Sequence, residues 1–239
     1  MLTVTLIRAA GVWSLVVLAV FCPVIFLSPS VAPEARVVSA MMLGSLVLWI
    51  GGCGALMWRH RDAVVAWLRA LPLPEAPKFV LAATVLACVE EAITTLMTNL
   101  APLFGGTRGV EGIVNATNYF HVVLLHSVVT FVPAFAAWAW LLRRHAFTPA
   151  QVFLIYGFTG TLGEAVFVRP DALLAGYWIF VYGLFVWLPA CAMRRPPAQR
   201  AVRLRHVALA LLLPIVAALP VAAVAIAVDA ALGLPHIGA

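Results

Sequence analysis

Long apolar runs separated by short polar breaks make up almost the whole chain. Seven runs are read, at about 11–28, 37–58, 79–101, 116–142, 150–168, 173–193 and 207–233. At ~1.5 Å per residue, each is long enough for an α-helix to cross a hydrocarbon core of about 30 Å. The pattern predicts an all-α, polytopic bundle of seven transmembrane helices, forming a single transmembrane domain over 1–239. The segment near 62–71 differs. Asp62 is placed to cap it, Val64, Val65, Trp67 and Leu68 supply apolar positions, and Pro72 ends it. It predicts a short helix on the cytoplasmic interface.

Composition supports the membrane reading. Of 239 residues, 64% are hydrophobic and 10% charged, with mean hydropathy +1.07. A soluble domain carries about a quarter charged residues. The chain's principal partner is therefore the lipid bilayer. The net charge of +6 does not indicate nucleic acid, because the basic residues sit at the ends of apolar runs. On one side of the alternating loops fall Arg8; Arg59, Arg61, Arg69 and Lys78; Arg143 and Arg144; and Arg194, Arg195, Arg200, Arg203 and Arg205. On the other fall only Arg36, Arg108 and Arg169. Twelve against three places the N-terminus in the cytoplasm and the C-terminus outside. The expected location is the cell membrane, multi-pass, and the Arg, Ala and Val richness suggests a prokaryotic source. The first run is read as a retained helix; a cleaved signal is the alternative. Cys22, Cys53, Cys88 and Cys191 all lie within apolar runs without a CxxC spacing, so they are read as packing residues.

Polar residues at membrane depth concentrate in the third, fourth and fifth helices. Ionisable groups there mark function by default. In the third helix, Thr84, Glu91, Thr94, Thr95 and Thr98 fall on one side at 100° per residue, with Glu90 at the edge. Two adjacent carboxyls at mid-bilayer cannot both stay ionised cheaply. The fourth helix carries Asn115, Tyr119, His126, Ser127, Thr130 and Pro133 on one face. His121 falls about 140° from His126 on a helical wheel and roughly 32 Å from the inner edge, so it is read as interfacial. The fifth helix lines Gly157, Gly160, Thr161 and Glu164 along one face.

Glu91, His126 and Glu164 are expected to meet in one pocket, as catalytic groups or as ligands of a divalent metal. Glu90, Glu91, Thr94, Thr98, Asn115, His126, Thr130, Thr161 and Glu164 form the wider candidate set for a substrate or ion. HExxH, GxSxG and a helix-core lysine are absent. Glu90-Glu91 followed by a His-bearing helix resembles the CAAX- and bacteriocin-processing glutamate proteases in those two residues. The arginine of that family's EExxxR motif is Thr95 here, and FxxxH and HxxxN are missing. Three functional readings stay open. The first is a proton- or cation-coupled transporter or channel. The second is an intramembrane hydrolase, metal-dependent or glutamate-type. The third is an accessory or assembly subunit, whose polar face binds a membrane-protein partner or a second copy of the chain.

Overall fold

The computed structural model describes residues 2–168, 170–194 and 199–237; Arg169 and Arg195 of the charge count lie outside them. The molecule is all-helical, about 80% helix. Among the described residues there is no strand, only isolated bridges at Arg108–Glu111 and His145–Arg200.

Five helices are long and apolar enough to cross a membrane: Leu2–Leu27, Pro33–Arg59, Glu75–Asn99, Pro149–Phe167 and Leu204–Leu232. A sixth is counted if Tyr119–His126 and Val128–Arg144, bent by 47°, form one span. This is fewer than the seven expected. The run at 173–193 is where the shortfall arises. Gly176 adopts φ 68°, a left-handed conformation that glycine tolerates best, and it interrupts the run. The run therefore folds as a four-residue turn and a 15-residue helix.

In chain order, α1 (Leu2–Leu27) fully buries only Ser14; Ile7 and Leu18 are partly buried against the core, and most of its other apolar side chains are exposed. Helix α2 (Pro33–Leu46) continues through a π turn at Val47–Cys53 into α3 (Gly54–Arg59). Helix α4 (Arg61–Ala70) is the short amphipathic helix, with Leu68 buried and Trp67 exposed. Helix α5 (Glu75–Asn99) turns Glu90, Glu91, Thr94, Thr95 and Thr98 inward and Leu81, Val85, Val89 and Leu96 outward, as its periodicity predicts. Met97 departs from that pattern and is buried against Gly44.

The polar fourth run does not form a continuous α-helix. It begins as α6 (Tyr119–His121), capped by Asn118, whose side-chain oxygen accepts from the N–H groups of Phe120 and His121. It then widens into a π turn at Val122–His126, closed by the Ser127 N–H on the Val122 carbonyl at 3.0 Å. It resumes as α7 (Val128–Arg144). Helix α8 (Pro149–Phe167) opens on a Thr148/Gln151 capping box. After α9 (Ala172–Ala175) comes α10 (Trp178–Ala192), which packs most extensively on α8. Glycines explain that closeness. A Cβ at Gly157 would sit 2.2 Å from the Ile179 carbonyl oxygen, and one at Gly160 would sit 2.1 Å from the Tyr182 ring. Helix α11 (Leu204–Leu232) lies chiefly against α7. The core between α5, α7, α8 and α10 is aromatic, with Phe131, Phe135, Tyr156, Tyr182 and Phe185 in edge and tilted contact.

Candidate functional site: a histidine–aspartate cluster on an apolar cavity

At the α6 end of the fourth run, a π turn changes which side chains share a face. In an α-helix, residues five apart diverge; in a π turn, bonded i to i+5, they align. His121 and His126 are five apart, and the π turn lies between them. Their ring centroids are 4.8 Å apart and their Nε2 atoms 3.1 Å apart. The 140° separation read from a regular wheel does not hold here, because the helix is not regular.

Two further ligand types join this pair from α11 and the residues after it. Asp229 is buried near the end of α11. Its Oδ1 lies 2.6 Å from His121 Nε2 and 3.7 Å from His126 Nε2. Gly233 then adopts φ 59° as a left-handed helix cap and turns the chain back. The Ile237 N–H donates to the Asn115 carbonyl at 2.9 Å, tying the following segment to the loop before α6. This places His236 Nε2 2.8 Å from Asp229 Oδ2.

One ligand atom from each of His121, His126, Asp229 and His236 therefore lies within 4.8 Å of all the others. Imidazole nitrogens about 2.0–2.1 Å from a tetrahedral zinc stand ~3.3 Å from each other. The distances above bracket that value. Three imidazoles and a carboxylate suit zinc or another borderline divalent ion. Outside the group, His126 Nδ1 lies 3.5 Å from the side-chain amide nitrogen of Asn115.

His126 also faces a cavity of about 590 Å³, within the ~300–1,000 Å³ usual for ligand sites. Glu90, Glu91, Thr94, Asn115, Thr130 and Glu164 line it too. Glu91, His126 and Glu164 are thus brought to one cavity, but the donor atoms grouped with His126 are those of His121, Asp229 and His236. Glu90, Glu91 and Glu164 stand close enough to interact electrostatically. Glu91 accepts from the Thr94 hydroxyl at 3.2 Å and from Ser127, the residue after His126. Glu164 accepts a short hydrogen bond from the Tyr182 hydroxyl.

Two members of the wider set stand apart from the cavity. Thr98 is fully buried and accepts the Ile113 N–H at 3.1 Å, anchoring the loop. Thr161 donates to the Gly157 carbonyl of its own helix at 2.9 Å. Thr130 lines the cavity while donating to the Ser127 carbonyl at 2.6 Å, where the helix bends.

Sequence reasoning missed Asp229 and His236 and set His121 aside. The readable signal was a lone acid near the end of a 29-residue helix that is otherwise apolar beyond its first turn, with a histidine seven positions later. No family model matches the chain, and no curated protein and no solved structure matches it.

Proposed function

We propose that this chain is an intramembrane metal-dependent hydrolase, with His121, His126, Asp229 and His236 holding the metal. The observation that carries the reading is the convergence of these four ligands, of which His126 lines a cavity that also displays Glu91. A bound divalent ion supplies an activated water and polarises the bond under attack. The water oxygen adds to the substrate carbonyl carbon while Glu91 takes the water proton. Glu91 then returns that proton to the departing oxygen or nitrogen as the acyl C–O or C–N bond breaks. The products are a carboxylic acid and an alcohol or amine. Thr94 and Ser127 orient the Glu91 carboxylate.

The ion-coupled transporter reading draws on the mutual proximity of Glu90, Glu91 and Glu164. The largely apolar lining of the cavity favours an apolar substrate over a hydrated ion, which would have to shed its water there. The subunit reading has no corresponding observation. In membrane terms we propose seven crossings in the cell membrane. The bent α6–α7 pair forms one crossing, and α10 forms another, short but surrounded by protein. With the N-terminus cytoplasmic, the ligand cluster lies at the outer end of α7 and α11.

The test separates the readings. Purified protein should carry about one equivalent of a divalent metal. Glu91→Gln should keep that metal while losing hydrolysis of acyl ester or amide substrates by about 10²–10⁴-fold. Protein that carries no metal sinks the reading. Proton flux in liposomes, lost in Glu91→Gln, would establish transport instead.

A further inference from the structure

The cavity that His126 and the carboxylates line also has a rim at the helix surface. Its rim includes Phe167 and Val168 at the end of α8 and Leu219 and Ile226 on α11, all lining residues. All four are also exposed, at 67%, 70%, 47% and 66% respectively. An exposed apolar side chain on a spanning helix faces hydrocarbon, so the cavity opens sideways toward lipid between these two helices. Ile226 and Asp229 are three apart on α11 and so share a face. The opening is therefore level with the ligand cluster.

Volume restricts what can enter. About 590 Å³ holds roughly 20 water- or methylene-sized groups at about 30 Å³ each. Two turns of a helix about 10 Å across fill roughly 850 Å³, so a helical peptide segment does not fit. A single alkyl chain does. Its transfer from lipid into an apolar cavity carries no desolvation penalty, whereas a polar substrate pays one. One wall is also left open by design. Gly160 is filled by Tyr182, but a Cβ at Gly163, which lines the cavity, would meet nothing within 4 Å.

We infer that the cavity binds one acyl chain of a membrane amphiphile, entering between α8 and α11, with its polar carbonyl end directed to His126 and the ligand cluster. This rests on the hydrolase reading for its chemistry, but chain binding itself needs no metal.

The experiment uses the full chain in nanodiscs and a lysophospholipid whose acyl chain carries a diazirine, with crosslinks mapped by mass spectrometry. Adducts are expected on Phe131, Tyr156 or Tyr182, inside the cavity. Gly163→Leu should reduce them about tenfold or more by filling the chain's space, a factor worth ~1.4 kcal/mol. Ala222→Phe, at a lining residue on α11, should do the same and guards against a single misfolded variant. Gly51→Leu places its side chain in open space away from the cavity and should change nothing. Asp229→Asn should retain the cavity adducts. Adducts confined to outward residues such as Leu81 and Val85 overturn the inference. So do cavity adducts undiminished in both filled variants with native helicity, or cavity labelling by a diazirine-bearing transmembrane peptide rather than by the amphiphile. Metal-loaded protein without cavity adducts defeats the acyl site alone. Cavity adducts in protein that binds no metal defeat the hydrolase reading alone.

Discussion

Histidines gather at both ends of the packed α7–α11 pair, and the two groups are built in opposite ways. At one end, the Nε2 atoms of His121, His126 and His236 turn toward the Asp229 carboxylate. At the other, His145 and His206 lie face to face, ring centroids 4.0 Å apart at 28°. There His206 Nδ1 accepts the Arg203 N–H, and the charged neighbours of His145 include Arg144, Arg200 and Arg205. Histidine is common to both, so residue type does not decide the role. Ring nitrogens converging on an anion concentrate lone pairs where a cation can sit. Rings stacked among guanidiniums present no such point, and serve to close the helix ends.

The largest expected effect tests that contrast directly. Asp229→Asn keeps the side-chain volume but removes the charge around which the three imidazoles gather. It should weaken metal binding by about 100-fold or more, beyond the 10–100-fold typical of losing a supporting contact. His145→Asn with His206→Asn should leave metal content unchanged. Metal analysis after dialysis against a graded chelator reads both. Equal losses in the two variants would erase the distinction between the ends.

A smaller effect isolates the π turn. His121 and His126 share a face because they are five apart across a π turn; in an α-turn, residues four apart do so. Deleting Leu124, which is exposed, should let the turn close as ordinary α-helix with the histidines still aligned. Metal affinity should then stay within about tenfold of wild type. Inserting an alanine after Leu124 sets them six apart and should cost affinity by at least about tenfold. Isothermal titration with zinc compares the two, and the reverse order would show that the turn does not set the geometry.

These variants also mark what could be read from sequence. The inward set of α5 was legible because a 100° period ran unbroken from Thr84 to Thr98. Glu91 and Glu164 could be placed by depth and facing because α5 and α8 are regular, whereas His126 reaches the same cavity from the irregular turn before α7. His121 was lost because the wheel assumes 3.6 residues per turn and the chain there does not obey it. Hydrogen bonding between Ser127 and Val122, not composition, sets the register. Asp229 and His236 were lost for a different reason. They reach the cluster through the packing of α11 on α7 and the Gly233 turn, contacts about 100 residues apart in sequence. The run at 173–193 gave a shorter helix than its composition suggested, because Gly176 breaks an apolar run that looked continuous. Gly157 and Gly160 let α8 approach α10 closely, whereas a Cβ at Gly163, on the same helix, would meet only open cavity.

The smallest effect concerns pH at the arginine-rich end. His145 titrates below its ordinary value of 6.5, first because it is buried and then because of His206, Arg200, Arg144 and Arg205. Its Nδ1 has no hydrogen-bond partner among the described residues, so protonation there meets no acceptor. Below pH 6.5 the unfolded chain takes up a proton that the folded chain resists. The unfolded state then binds more protons, and stability falls as pH falls through this window; it is retained above it. His145→Asn removes the proton uptake and should flatten this part of the profile. In chelator-treated protein, where metal release makes no contribution, apparent Tm measured between pH 7.5 and 5.5 should fall for wild type by about 4 °C or less, and by less for His145→Asn. For a chain of this length a fall of that size corresponds to about 1–2 kcal/mol or less. A steeper fall in the variant than in wild type would mean that the stacked pair accepts the proton readily, and that this end behaves more like the Asp229 end than its arginines suggest.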